Sequence, residues 1–149
     1  MRPAPGRPAR IVLDANVLVS AAIAAGRTPG SILGRAVDRA LAGDTTVITC
    51  PRLLAEVERV LRSQRLARWV ERKEVDGVMR WILGGSTLAA DPEAIVPVCR
   101  DPADDYLVAL ARREAASIVT GDGDLLALRG LGIDVITVGE LGSGLRGGP

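Results

Sequence analysis

Short apolar runs alternate along the chain with stretches of helical periodicity, and this alternation limits the fold more than any other feature. The runs are short and rich in β-branched residues, as expected of strands buried on both faces. They lie at residues 10–13, 46–49, 95–98, 117–120 and 133–138. Strands that alternate with helices favour a parallel sheet covered on both sides. We therefore predict an α/β fold, a three-layer α/β/α sandwich with a central, mostly parallel five-stranded sheet.

Helices are predicted between these strands where apolar residues recur every three to four positions. The predicted segments are 29–41, a helix opened by Pro51, 73–83, 103–113 and 124–128. The chain of 149 residues is predicted to be one domain over residues 10–141. Its ends, residues 1–9 and 142–149, are rich in proline, arginine and glycine and are predicted to be disordered. No apolar run suits a membrane span or a signal peptide, so we expect a cytoplasmic protein.

Acidic residues follow the predicted strands at one edge of the sheet. Asp14 directly follows the first strand, and Glu56, Asp104 and Asp122 come after the second, third and fourth. In open parallel sheets, ligands bind beyond the carboxyl ends of the strands. Like charges are costly to gather unless a cation lies among them, and a hard divalent ion prefers carboxylate oxygens. The sequence therefore predicts an acidic site that binds a divalent metal.

Taken singly, several of these acids also have an ordinary structural explanation. Asp101 before Pro102 is typical of a helix N-cap. Asp122 or Asp124 could cap the short helix around Gly123, and Asp124 could equally be a ligand to a second metal ion. Asp14 is harder to explain in this way, because it ends an apolar strand where neutral residues are usual.

Helical phase distinguishes one pair of neighbouring acids and fails for another. On the predicted helix 103–113, Asp104 falls on the core-facing side and Asp105 on the solvated side, so Asp104 is selected as the ligand. Phase does not separate Glu56 from Glu58. Glu56 is preferred only because it lies nearer the end of the strand.

The chain contains no histidine, which excludes Ser-His-Asp and Cys-His catalysis and histidine-ligated zinc. Formal net charge is +1, and nearly all the basic residues are arginines, which suit bidentate binding of phosphate. With no Phe, one Tyr and two Trp, the chain lacks aromatic platforms for base stacking. Contacts to nucleic acid should then be made mainly to phosphates and depend steeply on salt.

Four stretches, in order, resemble the PIN domains, metal-dependent ribonucleases common as VapC-like toxins of prokaryotic toxin–antitoxin pairs. They are IVLDANVLVSA, CPRLLAEVERVL, RDPADDYLVALA and TGDGDLL, and the likeness spans about residues 10–141. The resemblance implies that one or two Mg²⁺ or Mn²⁺ ions are bound by acids at these motif positions, with supporting polar residues nearby. The implied ligands are Asp14, Glu56, Asp104 and Asp122 with Asp124 as a further acid, and the supporting residues are Asn16 and Thr120.

The implied activity is metal-dependent endoribonuclease cleavage of RNA, as the toxin of a type II toxin–antitoxin pair. The implied partners are RNA and a small antitoxin protein. The apolar residues of the segment 66–83 leave homodimerisation as a further option, and no membrane partner is expected. Arginines near the strand ends are the candidates for RNA contacts, although each could be a solvated surface charge: Arg52, Arg100, Arg59 and Arg62.

Two other classes of function remain open from the residues. A magnesium-dependent phosphatase or phosphotransfer domain also gathers acids at strand ends, but it needs a partner lysine, and the only lysine is Lys73 in a helical segment. A non-catalytic PIN-fold module that binds RNA or protein is the second alternative.

Overall fold

The computed structural model describes residues 8–27 and 32–144. Five strands form one sheet in the order β3-β2-β1-β4-β5, and every pairing is parallel. The strands are β1 (Arg10–Leu13), β2 (Thr46–Thr49), β3 (Ser86–Leu88), β4 (Ser117–Val119) and β5 (Val135–Ile136). The predicted three-layer α/β/α sandwich with a five-stranded sheet is confirmed.

Helices connect the strands and cover the sheet. They are α1 (Ala15–Arg27), α2 (Ile32–Arg39), α3 (Pro51–Leu61), α4 (Arg72–Gly85), α5 (Asp105–Arg113), α6 (Gly123–Leu126) and α7 (Val138–Gly144). Shorter turns of helix lie at Ala40–Asp44, Gln64–Leu66, Pro102–Asp104 and Ala127–Leu131. In the part of the chain that the structure describes, no helix is long and apolar enough to cross a bilayer.

The central strand β1 sets the position of the sheet edge that carries the acids. Ile11, Val12 and Leu13 are fully buried, and Leu13 pairs with Val119 of the neighbouring strand β4. The backbone nitrogen of Asp14 continues this pairing by donating to Val119 O at 3.1 Å. The residues that follow β1 and β4 are therefore adjacent in space.

Helix α1 has no counterpart among the predicted helices. Its first turns are almost wholly apolar, and Ala15, Val17, Leu18, Val19 and Ala21 are all buried. A helix buried on most sides lacks the polar face from which helical periodicity is recognised. The segment therefore gave no amphipathic signal.

The prediction of a strand at residues 95–98 is wrong. Ile95 and Val96 are exposed in an irregular segment, and the third strand is β3, at the edge of the sheet beside β2. Pro97 has no backbone N–H to pair, and the N–H of Val98 donates to the Asp105 carboxylate at 3.0 Å. This apolar run therefore cannot supply the donors that a sheet partner requires.

Several element boundaries also differ from the predictions. Helix α2 ends at Arg39 and passes into a π-helical turn in which Gly43 has a φ of 111°, while residues 29–31 of the predicted helix lie outside the described residues. Of the predicted strand 133–138, only Val135–Ile136 pairs with β4.

The described part of the chain extends slightly beyond the predicted domain at both ends. Thr45 Oγ1 donates to Pro8 O at 2.7 Å, and Thr46 N donates to Ala9 O at 3.0 Å. Helix α7 runs three residues past the predicted end at Leu141 and reaches Gly144.

Candidate active site

Asp14 is fixed at the end of β1 by two buried hydrogen bonds. Its Oδ1 accepts from the backbone N–H of Val17 at 2.7 Å, so the carboxylate caps α1. Its Oδ2 accepts from the hydroxyl of Thr120. The side chain is only 4% exposed. Burial raises the pKa of Asp14 against the lowering effect of these two bonds, and repulsion from Asp122 and Glu56 raises it further.

Thr120 connects Asp14 to the segment after β4. It is fully buried, and its Oγ1 also accepts from the backbone N–H of Asp122 at 3.0 Å. Asp122 in turn accepts from Asp124 N at 2.9 Å and caps α6. The predicted supporting hydroxyl thus lies between the first and the fourth of the predicted acids, while the capping explanation of Asp122 also holds.

Glu56 and Glu58 on α3, which sequence phase did not separate, have different surroundings. Oε2 of Glu56 accepts from the phenolic hydroxyl of Tyr106 at 2.7 Å. Glu58 instead forms a 2.9 Å ion pair with Arg62 on an exposed face of the helix. Glu56 is therefore the glutamate that faces the other acids.

Asp104 is the residue whose carboxyl group is affected by the charges of all the acidic segments. The carboxyl is half-buried and makes no hydrogen bond or ion pair with any described residue. Burial is the largest cause that raises the pKa of Asp104, to about 6, and the negative charges of four other carboxylates add to it. Those carboxylates belong to Asp101, Asp122, Glu56 and Asp14.

The predicted orientation of Asp105 is wrong. Its side chain is buried, and Oδ1 accepts from the N–H groups of Val98 and Cys99 at 3.0 and 2.7 Å. These two backbone hydrogen bonds lower the pKa of Asp105. Helical phase failed because Pro102–Asp104 is a 3₁₀ turn with about three residues per turn, so the α-helical count from residue 103 does not apply.

The donor set fits a hard divalent cation by chemistry and charge, but the carboxylates stand apart. Within residues 8–27 and 32–144, no three Asp, Glu or Cys side chains are close enough to enclose a metal ion. Hydrogen bonds hold Asp14 and one oxygen each of Glu56 and Asp122. The half-buried carboxyl of Asp104, which has no partner among the described residues, is the polar group that a cation would best satisfy.

Asn16, one of the predicted supporting residues, is exposed at the start of α1. It lines a groove of about 460 Å³ that also includes Asp122. The other lining residues of this groove are Val17, Ser20, Leu33, Gly121 and Val138. Asn16 therefore borders the acidic region without a hydrogen bond to any of the predicted ligands among the described residues.

Asp124, the predicted further acid, is exposed, and its Oδ1 lies 3.7 Å from Nη1 of Arg100. The pairing gives both residues a partner other than a metal ion or a phosphate. Arg62 is likewise engaged, since it bridges Glu58 and Asp76 with 2.9 Å contacts to each. Arg62 is thus committed to two carboxylates, whereas the long contact between Asp124 and Arg100 leaves both of these exposed side chains accessible.

Arg52 and Arg59 lie on α3 and are exposed. The Arg52 guanidinium carbon lies 4.4 Å from the centre of the Tyr106 ring, and its backbone N–H donates to Asp91 Oδ1 at 2.8 Å. Of the four predicted RNA-contacting arginines, Arg52 contacts Tyr106, the hydrogen-bond partner of Glu56, and Arg100 contacts Asp124.

Sequence reasoning assigned no role in the site to two residues of the acidic region. Asp101 adds its charge to that of Asp104, although its carboxylate also accepts from Ala103 N as predicted for an N-cap. Tyr106 is 1% exposed, and burial together with the Glu56 carboxylate raises the pKa of its phenol, which is therefore the donor. Its position two residues after Asp104 could have indicated a place near the site. An aromatic residue in an apolar helix is, however, usually interpreted as part of the hydrophobic core.

Comparison with known proteins adds a family and a fold. The family described as PIN domain matches residues 10–124. An uncharacterized protein of Methanocaldococcus jannaschii is 28% identical over 122 residues, which cover 80% of this chain and 75% of that protein. The structure of VapBC2 from Rickettsia felis, bound to a DNA fragment from its promoter, matches with a TM-score of 0.60 and 12% identity. That match covers 86% of this chain and 98% of the other. At this low sequence identity, the match is evidence of a shared fold alone.

Proposed function

The chain belongs to the PIN domain family, whose members are generally nucleases, and we propose that it is a divalent-metal-dependent endoribonuclease. The observation that carries the proposal is the electrostatic convergence on Asp104. Burial raises the pKa of this half-buried group to about 6, and the negative charges of carboxylates from segments far apart in sequence add to the rise. A stable fold has little reason to hold such charges together unless a cation balances them.

Four residues would hold the ion, Asp14, Glu56, Asp104 and Asp122. A bound Mg²⁺ or Mn²⁺ supplies a water of lowered pKa as nucleophile and neutralises charge that develops on the phosphate. The absence of histidine leaves no imidazole base in the chain. The carboxylates of the acidic region are therefore the proposed proton acceptors.

The contacts around these four acids suggest a different role for each of them in metal binding. Asp14 is held rigidly by Thr120 and Val17, which suits a fixed ligand. Asp104 has no partner among the described residues, so its carboxyl can turn toward a cation at little cost. Asp122 and Glu56 each keep one carboxylate oxygen without a described partner, which leaves an oxygen for the ion or for a proton.

Cleavage of a short labelled RNA tests the proposal. We expect wild-type protein to cut in Mg²⁺ or Mn²⁺ and to stop in excess EDTA, and Asp14→Asn and Asp104→Asn to be inactive while folded. Asp38→Asn is the matched control, because Asp38 is an exposed carboxylate on α2 outside the acidic cluster. Cleavage that persists in EDTA, or that survives Asp14→Asn, contradicts the proposal.

We also propose that the physiological role is that of a toxin in a type II pair, with a small antitoxin protein as partner. The structural likeness to VapBC2 supports this role. Expression of the wild-type chain should arrest growth of a bacterial host, whereas Asp14→Asn should not. Co-expression of a small protein encoded beside the gene should relieve the arrest. Growth unaffected by an active nuclease would instead favour an RNA-processing enzyme.

The second candidate function is a PIN-fold module that binds RNA or protein without cleaving it. The observation that favours it is the spacing of the acids, since no three of them enclose a cation site within the described residues. RNA binding without cleavage under any divalent ion would support this alternative. The phosphotransfer alternative has no such support, because Lys73 forms a 3.3 Å ion pair with Glu71 near the start of α4.

A further inference from the structure

We propose that Tyr106 is a positioning residue that holds the carboxylate of Glu56 ready to bind the metal ion. The inference rests on the proposed function, because it assigns a role within the same site. It starts from one contact between two elements, in which the phenolic hydroxyl of Tyr106 on α5 donates to Oε2 of Glu56 on α3 at 2.7 Å.

The tyrosine ring is itself buried. It is 1% exposed and belongs to a helix whose residues 105–108 are all buried. Asp104, the acid on which the others converge, lies two residues earlier in the same segment. A movement of α5 would therefore displace Asp104 and the support of Glu56 together.

One face of the ring is covered by an arginine from the helix that carries Glu56. Arg52 and Glu56 are four residues apart and so lie on one face of α3. The guanidinium carbon of Arg52 lies 4.4 Å from the ring centre, and Asp91 fixes the backbone of Arg52 through a 2.8 Å hydrogen bond. The ring of Tyr106 is thus held between the two residues of α3, by a cation at its face and a carboxylate at its hydroxyl.

This arrangement bears on metal binding because a free glutamate side chain has several rotamers. The hydrogen bond from the phenol occupies Oε2 of Glu56, and the other carboxylate oxygen has no described partner. A partner that orients a ligating carboxylate raises metal affinity by about 10–100-fold in known sites. A buried phenol with no such role would affect folding alone.

A double-mutant cycle distinguishes these roles. Mn²⁺ affinity is measured by calorimetry without RNA for wild type, Tyr106→Phe, Glu56→Gln and the double variant. We expect Tyr106→Phe, which keeps the ring, to weaken Mn²⁺ binding about 10-fold or more, and to add nothing in the Glu56→Gln background. Glu58→Gln is the matched control, since that glutamate pairs with Arg62, and it should bind Mn²⁺ as wild type does.

A second measurement does not depend on the fold of a variant at residue 106. Tyr106 is the only tyrosine of the chain, so biosynthetic 3-fluorotyrosine labels this site alone. Its ¹⁹F resonance should shift on addition of Mg²⁺ to the otherwise wild-type protein and remain in place in Glu56→Gln.

The outcomes also separate this inference from the function on which it rests. Wild-type protein that neither binds Mn²⁺ nor cuts RNA overturns the proposed function and the role of Tyr106 with it. Normal wild-type binding and cleavage, with unchanged Mn²⁺ affinity in Tyr106→Phe or a ¹⁹F resonance insensitive to Mg²⁺, overturns only the role of Tyr106. A loss of affinity that is equal in both backgrounds assigns the phenol to folding and overturns it as well.

Discussion

The hydroxyl of Thr120 donates a hydrogen bond to Oδ2 of Asp14 across 106 positions of sequence. Oγ1 of Thr120 also accepts from the backbone N–H of Asp122 at 3.0 Å. Because Thr120 is fully buried, neither bond can be replaced by bulk water. One hydroxyl therefore fixes a carboxylate at the end of β1 against the segment that begins after β4.

Replacing Thr120 by Val should destabilise the protein by about 1–3 kcal/mol, because a buried acceptor and a backbone donor lose their partner. The pKa of Asp14 should also rise further, since this hydrogen bond is one of the two that lower it. Urea denaturation measures the first effect. Thr120→Ser keeps the hydroxyl and should lose only the smaller contribution of one methyl group, about 1 kcal/mol. Equal losses in the two variants would show that packing, not the hydroxyl, is responsible.

Asp104→Asn should raise the thermal midpoint of the metal-free protein at neutral pH. The pKa of Asp104 is raised from 3.8 to about 6 in the folded state, so ionisation above pH 6 costs stability that a neutral side chain does not lose. Solvent screens this half-buried group, and the gain should be about 1–3 °C. The advantage should shrink as pH falls from about 6 to about 4. Thermal scans in EDTA at several pH values measure it, and an advantage independent of pH would contradict the assigned cause.

The sheet edge and most of its acids could be predicted because they follow from chain direction. In a parallel sheet every strand ends at the same edge, so an acid placed directly after a buried run, as Asp14 is, must lie there. Local sequence and the parallel topology together determine the position of these acids.

Features that depend on a particular tertiary contact could not be predicted. Residues 95–98 have the composition of a strand, but Pro97 and the capture of Val98 N by Asp105 keep them out of the sheet. Helix α1 is buried on most sides and shows no amphipathic stripe. The partnership of Tyr106 with Glu56 joins positions 50 residues apart and has no counterpart in sequence spacing.

Asp105→Ala should loosen the segment before α5, because it leaves the N–H groups of Val98 and Cys99 without their acceptor. We expect the thermal midpoint to fall by on the order of 5 °C and the amides of Val98 and Cys99 to exchange faster with deuterium. The pKa of Asp105 is lowered in the folded state. Its contribution to stability should thus be complete above about pH 4 and be lost as pH falls further.

Asp101→Ala is the control for that experiment. Asp101 is exposed, and its carboxylate accepts from Ala103 N at 3.0 Å and from no other described residue. Its removal should leave the exchange of the Val98 and Cys99 amides unchanged. Similar exchange in both variants would assign the order of this segment to the turn at Pro102 and not to the buried carboxylate.

The two glycines that end α4 predict opposite responses to the same substitution. A Cβ at Gly85 would lie 2.4 Å from Leu41 O and 2.6 Å from Leu41 Cβ, whereas a Cβ at Gly84 would have no neighbour within 4 Å. Gly85→Ala should therefore cost about 1–3 kcal/mol, because the backbone near Leu41 must shift. Gly84→Ala should be neutral or stabilising by up to about 1 kcal/mol, since alanine favours the helix. Denaturation of the two variants in parallel measures the difference, and equal stabilities would show that α4 can move away from Leu41 without cost.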